Sequence, residues 1–281
     1  MKKRFITEET ILAFGRTLHD EERAAGTIEN YLRNVRLLAA FLEGRPANRE
    51  AVVLWKERLI ARGYSPTSVN VMLAAVNKFF TFMEWQDCRV KPLHLQKKLF
   101  REDSRELSRA EYERLLAAAH AHGKERLALL METICATGIR VSEVRYITVE
   151  AAQRRRAEVS LKGKIRTILL PGKLAKKLLK YAGKNKTASG EIFRTGSGRG
   201  ISRKQIWAEM KGLCSKVGIA ASKVFPHNLR HLFARTFYKL CRDVAKLADV
   251  LGHSSIETTR IYLISTGTEH ARQLERLGLI S

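Results

Sequence analysis

Lysine and arginine total 52 against 28 aspartate and glutamate in a chain of 281 residues, a formal charge of +24. An excess of this size points to a polyanionic partner, through counterion release and electrostatic steering, and the length allows two domains that each bury a core. No apolar run approaches the ~18 residues of a membrane span, and the start, MKKRFITEET, lacks the apolar segment of a signal peptide.

The charge is spread along the chain: residues 1–100 hold 17 basic and 11 acidic side chains, residues 101–281 hold 35 and 17. No block of charge stands alone as a tail, which places the excess on folded faces. Cys88, Cys135, Cys214 and Cys241 are far apart and form no CxxC pair. They fit free thiols in a reducing compartment, so a cytoplasmic location is expected, with no zinc site.

In chain order, Thr7 with Thr10 reads as a capping box opening a first helix, with Ile11, Phe14 and Leu18 on one face. Thr27 is expected to cap a second helix carrying Tyr31, Val35, Leu38 and Leu42, stopped by Gly44 and Pro46. A third runs from about Arg49 to Ala61. Ser65-Pro66 opens a fourth, whose Val69, Met72, Val76, Phe79 and Phe80 form the heaviest apolar face. Four short helices with tight connections predict a small bundle. Periodicity then fades and charge rises, giving a first domain over 1–98, a linker over 99–106 and a second domain over 107–281.

The second domain starts with a capping box at Ser108 and Glu111, followed by an apolar helix over 125–136 that stops at Gly138. Residues 157–170 alternate, carry β-branched side chains and turn at Gly163, which predicts a β-hairpin. Helices follow near 173–182, 202–216, 227–239, 242–251 and 255–265, then an apolar-periodic tail at 268–280. Gly252 is expected to end one helix, and Ser254 with Glu257 to cap the next. The fold class is mainly α with a small β-sheet.

Five short stretches carry chemistry: Arg140 in ATGIRVSE, LKGK around Gly163, His227 and Arg230 in PHNLRH, His253 in VLGHSS and Tyr262 in TTRIYL. Each has a bland reading when taken alone. Arg140 at a helix start is an exposed arginine disfavoured by the macrodipole, which argues weakly for an anionic ligand. Lys162 and Lys164 flank a hairpin turn, where lysines usually only solvate. His227 and Arg230, three apart behind Pro226, share a face at a helix N-terminus, where free N–H groups already favour an anion. His253 sits in a tight corner, a common place for a structural imidazole. Tyr262, nine residues beyond His253, lies on an apolar face and alone reads as core.

Arginine, hairpin lysine, HxxR, GH and then tyrosine, in that order, resemble the catalytic set of the tyrosine recombinase (phage integrase) family in its two-domain, Xer-like form. The likeness covers the second domain and, more loosely, the first, which is similar to that family's four-helix, SAM-like core-DNA-binding domain. One departure stands out: a hairpin turn that in the family is often GKGNK-like is shortened here to LKGK.

The resemblance implies that Arg140 and Arg230 bracket a scissile phosphate, that His253 donates a third hydrogen bond to it, and that Tyr262 attacks phosphorus. A phenol is almost wholly neutral at pH 7, so a base must help, and His227 is the candidate. The leaving 5′-oxygen would be protonated by a hairpin lysine, with Lys162 preferred and Lys164 the alternative. No metal and no cofactor are implied. The implied partners are double-stranded DNA with an inverted-repeat core site, and further copies of the chain in a homotetramer on two sites. The family's extra arm-binding domain is expected to be missing, because the first capped helix begins at Thr7.

Other residues suit DNA positioning: Arg203, Lys204 and Gln205 behind Ser202, and Thr67 and Asn70 in the first domain, with Lys164 beside the turn. Two rival functions share parts of this pattern. A type IB topoisomerase shares the tyrosine chemistry, and a non-catalytic helix-turn-helix regulator shares the charge and the helices.

Overall fold

The computed structural model describes residues 4–95, 105–161, 164–262 and 275–277. The chain separates into two compact units, Met1–Lys97 and Lys98–Ser281. Of the expected linker, only Arg105 and Glu106 are among the described residues. No described helix is long and apolar enough to cross a membrane.

The first unit holds α1 (Glu8–Asp20), α2 (Ala25–Leu42), α3 (Arg49–Ala61) and α4 (Pro66–Phe82). The capping box of α1 is formed: Thr7 Oγ1 accepts from Thr10 N at 3.3 Å, and Thr7 N donates to Thr10 Oγ1 at 3.1 Å. Thr27, expected to cap α2, instead lies inside its first turn, its N–H already bonded to Ala24 O at 2.7 Å. Ala24 occupies the cap and has no side-chain oxygen to offer. Apolar faces repeating at helical spacing close a core of Phe14, Leu38, Trp55, Val76 and Phe79, in which the Phe14 and Phe79 rings meet edge to face at 5.4 Å.

Two asparagines on α4 lace the following extended segment to the helix. Asn77 Nδ2 donates to Val90 O at 2.9 Å while its Oδ1 accepts from Val90 N at 3.1 Å. Asn70 repeats the pattern on Leu93, at 2.9 and 2.7 Å. Each amide acts as a strand partner would, satisfying backbone groups that would otherwise be orphaned.

In the second unit, α5 (Arg109–Ala121) begins with the expected Ser108–Glu111 capping box, and α6 (Glu125–Thr137) follows. Helix α6 is buried nearly all round because α5, α8 (Gly172–Lys184), α9 (Arg203–Val217) and α10 (Pro226–Cys241) pack against it. A 3₁₀ turn, Val141–Tyr146, and a short α7, Val149–Arg154, connect it to the hairpin. The hairpin is antiparallel, β1 (Arg156–Leu161) on β2 (Lys164–Leu169), with Val159 opposite Arg166. Ala157, Val159 and Ile168 face the core, whereas Ile165 and Leu169 on the second strand are exposed. After α10 come α11 (Val244–Leu251) and α12 (Ile256–Arg260). The cap of α12 is Ser255, not the expected Ser254: Ser255 Oγ accepts from Glu257 N at 3.2 Å. The expected 255–265 helix is cut short: α12 ends at Arg260, and Ile261 and Tyr262 form a turn in which Tyr262 N donates to Thr259 O at 3.0 Å. Residues 263–265, and all of the expected tail except residues 275–277, lie outside the described residues.

Candidate active site

The start of α10 is fixed by a buried asparagine. Asn228 Nδ2 donates to Arg105 O at 2.7 Å and to Lys223 O at 2.8 Å. With the first turn anchored, the i, i+3 spacing puts His227 at the exposed end and turns Arg230 inward, where its side chain is 1% exposed. A guanidinium so deeply buried needs its donors satisfied. Nη1 donates to Gly138 O, Nη2 to Leu251 O at 2.9 Å and to His253 Nε2 at 2.9 Å, and Nε to Tyr262 Oη at 3.3 Å. No carboxylate touches it among the described residues, so burial lowers its pKa from the usual arginine value, partly offset by its bond to Tyr262.

Two glycines bring those carbonyls within reach. Gly138, at φ +64, ends α6 in the left-handed region, and a Cβ there would overlap the Phe233 ring. Gly252, at φ +63, ends α11 in the same way, and a Cβ there would overlap Arg166 Cδ. Both turns therefore require glycine for conformation and for space.

His253 follows Gly252 directly. Because an arginine nitrogen can only donate, His253 Nε2 is the acceptor, so Nδ1 carries the proton and donates to Thr259 Oγ1 at 2.9 Å. Burial, then the positive charges of Arg230, Arg140, Arg166 and His227, push its pKa down to about 4. Tyr262 is 3% exposed and packs on Ala234, Leu247 and Leu251. Its ring stacks on His253 at 5.7 Å and 11°, and also meets His231 at 4.5 Å and His227 at 6.0 Å.

Arg140 caps the 3₁₀ turn that follows Gly138. Glu143, buried at 2% exposure, accepts from Arg140 N at 2.7 Å through Oε2 and from Arg140 Nη1 at 3.0 Å through Oε1. The arginine keeps a side chain 41% exposed, so it is held by one carboxylate yet open to a ligand. Arg166 Nη1 reaches the same Oε1 at 3.5 Å and also donates to Leu251 O.

The structure thus brings Arg140, His227, Arg230, His253 and Tyr262 into one cluster. Lys162 lies outside the described residues, as does the side chain of Lys164. In the first unit Thr67 is exposed, and both arms of the Asn70 amide are engaged by the backbone of Leu93. Arg203 and Lys204 are exposed on the first turn of α9, while Gln205 Nε2 is turned onto Glu209 Oε1 at 3.1 Å. Among the described residues no group of three His, Cys, Asp or Glu is placed to hold a metal ion.

Four members of the cluster are missing from the sequence reading: Glu143, Arg166, His231 and Thr259. Glu143 stands three residues from Arg140 and His231 four from His227, spacings that signal a shared helical face. Thr259 and Arg166 had no such signal, since only the tertiary fold brings them to His253 and Glu143.

Comparison with known proteins bears on family and fold. The sequence model of the phage integrase family matches residues 105–268, and that of the phage integrase N-terminal SAM-like domain matches residues 11–87. Tyrosine recombinase XerA of Pyrococcus furiosus is 28% identical over 100% of this chain and 98% of its own length. Tyrosine recombinase XerD of Brucella suis is 32% identical over 85% of this chain and 86% of its own. A lambda integrase dimer bound to a COC′ core site superposes with a TM-score of 0.74 at 16% identity, covering 91% of this chain and 94% of that one.

Proposed function

The chain belongs to the phage integrase family, and from that premise we propose that it cleaves and rejoins duplex DNA at specific sites through a 3′-phosphotyrosine. The supporting observation is the convergence of Tyr262, Arg230 and His253, with Arg140 joined to them through Glu143 and Arg166.

In the proposed reaction a scissile phosphate enters between Arg140 and Arg230, which stabilise the charge on its non-bridging oxygens. The Tyr262 oxygen attacks phosphorus and the P–O5′ bond breaks. The phenolic proton passes to the histidine side of the cluster. His227 is the expected base, and the His231 ring lies nearer to the phenol. The leaving 5′-oxygen takes its proton from Lys162. Attack by a 5′-hydroxyl on the phosphotyrosine reverses these steps, so the ester bond conserves the energy for rejoining and neither a metal nor a nucleotide is consumed. Neutral His253 presents a lone pair at Nε2 toward Arg230. To donate to the phosphate it must first give up that bond and take a proton on Nε2.

The family reading extends to assembly: two DNA sites, each with an inverted-repeat core, held by four copies of the chain. A groove of about 590 Å³ between α5, α6, α8 and α10, lined by Tyr112, Cys135, Phe233, Phe237 and Leu240, supports it. Leu240 is 84% exposed there, and the apolar-periodic tail of a neighbouring copy would cover it.

Incubation with a nicked suicide duplex, followed by denaturing electrophoresis, tests the chemistry. The parent protein should form a covalent adduct, and Tyr262→Phe should bind the same DNA and form none. A full yield of adduct from Tyr262→Phe would assign the nucleophile elsewhere.

A further inference from the structure

Arg166 is the one guanidinium in the cluster to which the proposed reaction gives no role. It stands on β2 opposite Val159, and its side chain crosses Gly252 to reach the interior of the site. There Nη1 donates to Leu251 O and lies 3.5 Å from Glu143 Oε1. Its partners are therefore shared. Glu143 Oε1 also holds Arg140, and Leu251 O also holds Arg230. An unbroken polar chain runs from Arg140 through Glu143, Arg166 and the Leu251 carbonyl to Arg230, and on to His253 and Tyr262.

The electrostatics of this chain are unbalanced. Among the described residues Glu143 is the carboxylate paired with both Arg140 and Arg166, Arg230 touches none, and Arg166 Nε and Nη2 are buried without an acceptor. Burial, together with Arg230 and Arg140, pushes the Arg166 pKa down to about 10, with Glu143 opposing the shift, so the group stays charged at neutral pH. Burying cations without counter-charge costs several kcal/mol per ion. A clip between hairpin and helix would be made more cheaply by an apolar side chain. The excess charge is accounted for when the site is completed by an anion.

We propose that Arg166 is a positioning residue of the phosphate site: it sets Glu143, and through it Arg140, against the Leu251–Gly252–His253 turn, and it maintains the surplus positive charge that the scissile phosphate neutralises. This rests on the transesterification reading above.

The test compares single-turnover adduct formation on an ordinary phosphodiester site and on one whose scissile phosphate carries a methyl group in place of a non-bridging oxygen, making it uncharged. Arg166→Gln, which keeps hydrogen-bonding groups and removes the charge, should lose about 100-fold on the phosphodiester, the scale of one preorganised donor. On the methylphosphonate it should lose less than about tenfold relative to the parent, the charge having gone from the ligand as well. Arg166→Lys, which retains the charge and guards against an unfolded glutamine variant, should stay within about tenfold of the parent on both. An equal loss on the two substrates would reduce Arg166 to a packing residue, and phosphodiester activity within about threefold of the parent in Arg166→Gln would remove the role altogether. A parent protein that binds the site and forms adduct on neither substrate would instead overturn the transesterification reading.

Discussion

Arg230 Nη2 donates to His253 Nε2 at 2.9 Å, and this one bond makes the imidazole neutral, with its proton on the side of Thr259. The arginine is thereby the element that decides what the histidine can do. In the proposed reaction a phosphate oxygen would take over the arginine nitrogen and release the lone pair of His253 beside a new negative charge. Both changes would favour a proton on Nε2.

The first prediction is a pH dependence. In the folded chain the His253 pKa lies at about 4, below its ordinary value of 6.5. Above pH 6.5 both folded and unfolded forms are neutral there, and the contribution to stability is complete. As pH falls toward 4 the unfolded chain takes up a proton that the folded one refuses, and stability is lost. His253→Gln should therefore flatten the fall in melting temperature between pH 6.5 and 4. In nuclear magnetic resonance titrations, the parent imidazole should titrate well below 6.5 without DNA and higher with a site-bearing duplex. An unchanged titration on binding would show that the phosphate does not reach this cluster.

The second concerns the difference between the two clamp arginines. Arg140→Ala and Arg230→Ala should both reduce adduct formation by orders of magnitude, since one preorganised donor to a developing oxyanion is worth ~3 kcal/mol. Their effects on the fold should differ. The Arg140 side chain is 41% exposed, and without it Glu143 still accepts from Arg140 N and lies 3.5 Å from Arg166, so its removal should lower the melting temperature less than removal of Arg230. Arg230 holds the Gly138 and Leu251 carbonyls, and stranding a buried acceptor costs about 1–3 kcal/mol. Calorimetry should separate the pair. Equal melting temperatures would contradict the buried placement of Arg230.

The third is a backbone test. Gly252→Ala combines a left-handed conformation, costing an alanine about 1–2 kcal/mol, with an overlap against Arg166 Cδ. It should destabilise the chain and cut adduct formation, although no group in the proposed chemistry is altered. Gly123→Ala, at φ +65 with nothing within 4 Å, serves as the control that carries the conformational cost alone. Similar adduct formation in the two variants would remove the importance of the Arg166 contact.

The fourth addresses assembly and cofactors. Deleting residues 268–281 should leave binding to a single site near that of the parent and abolish cooperative assembly and strand exchange, measured by gel shift and by recombination of two sites. Recombination at the parental rate would make the tail dispensable. EDTA should leave cleavage unchanged, and inhibition by it would point to a metal-dependent nuclease.

Sequence alone carried the order of the longer helices but not α7, together with the hairpin, the capping boxes at Thr7 and Ser108, and the five residues of the cluster that fall within motifs. These features share a cause: each is written in local spacing, which a reader of sequence can see. Much of what was lost depends on partners distant in the chain. Asn70 looked suited to DNA because nothing nearby foretold that Leu93 would occupy its amide. Arg166 looked like one more strand residue because its meeting with Glu143 and Leu251 depends on how the hairpin lies against α11 and the 3₁₀ turn. The cap of α2 was misplaced at Thr27 because a threonine in a first turn and one at a cap read alike until the Ala24 carbonyl is located.

The crowding of protein acceptors around Arg230 also bears on selectivity. Free phosphate and nucleotides, abundant in any cell, offer an arginine the same oxygens as DNA does. Here such a small anion would have to displace the Gly138 and Leu251 carbonyls, His253 or Tyr262, and each charge-assisted bond surrendered is worth about 1.5–3 kcal/mol. A ligand with few contacts of its own cannot meet that demand. A duplex gripped along many phosphates can, because binding far from the reacting centre does work at it. On the proposed reading, the buried arginine would filter ligands by their extent, disfavouring the monomeric anion before any base has been read.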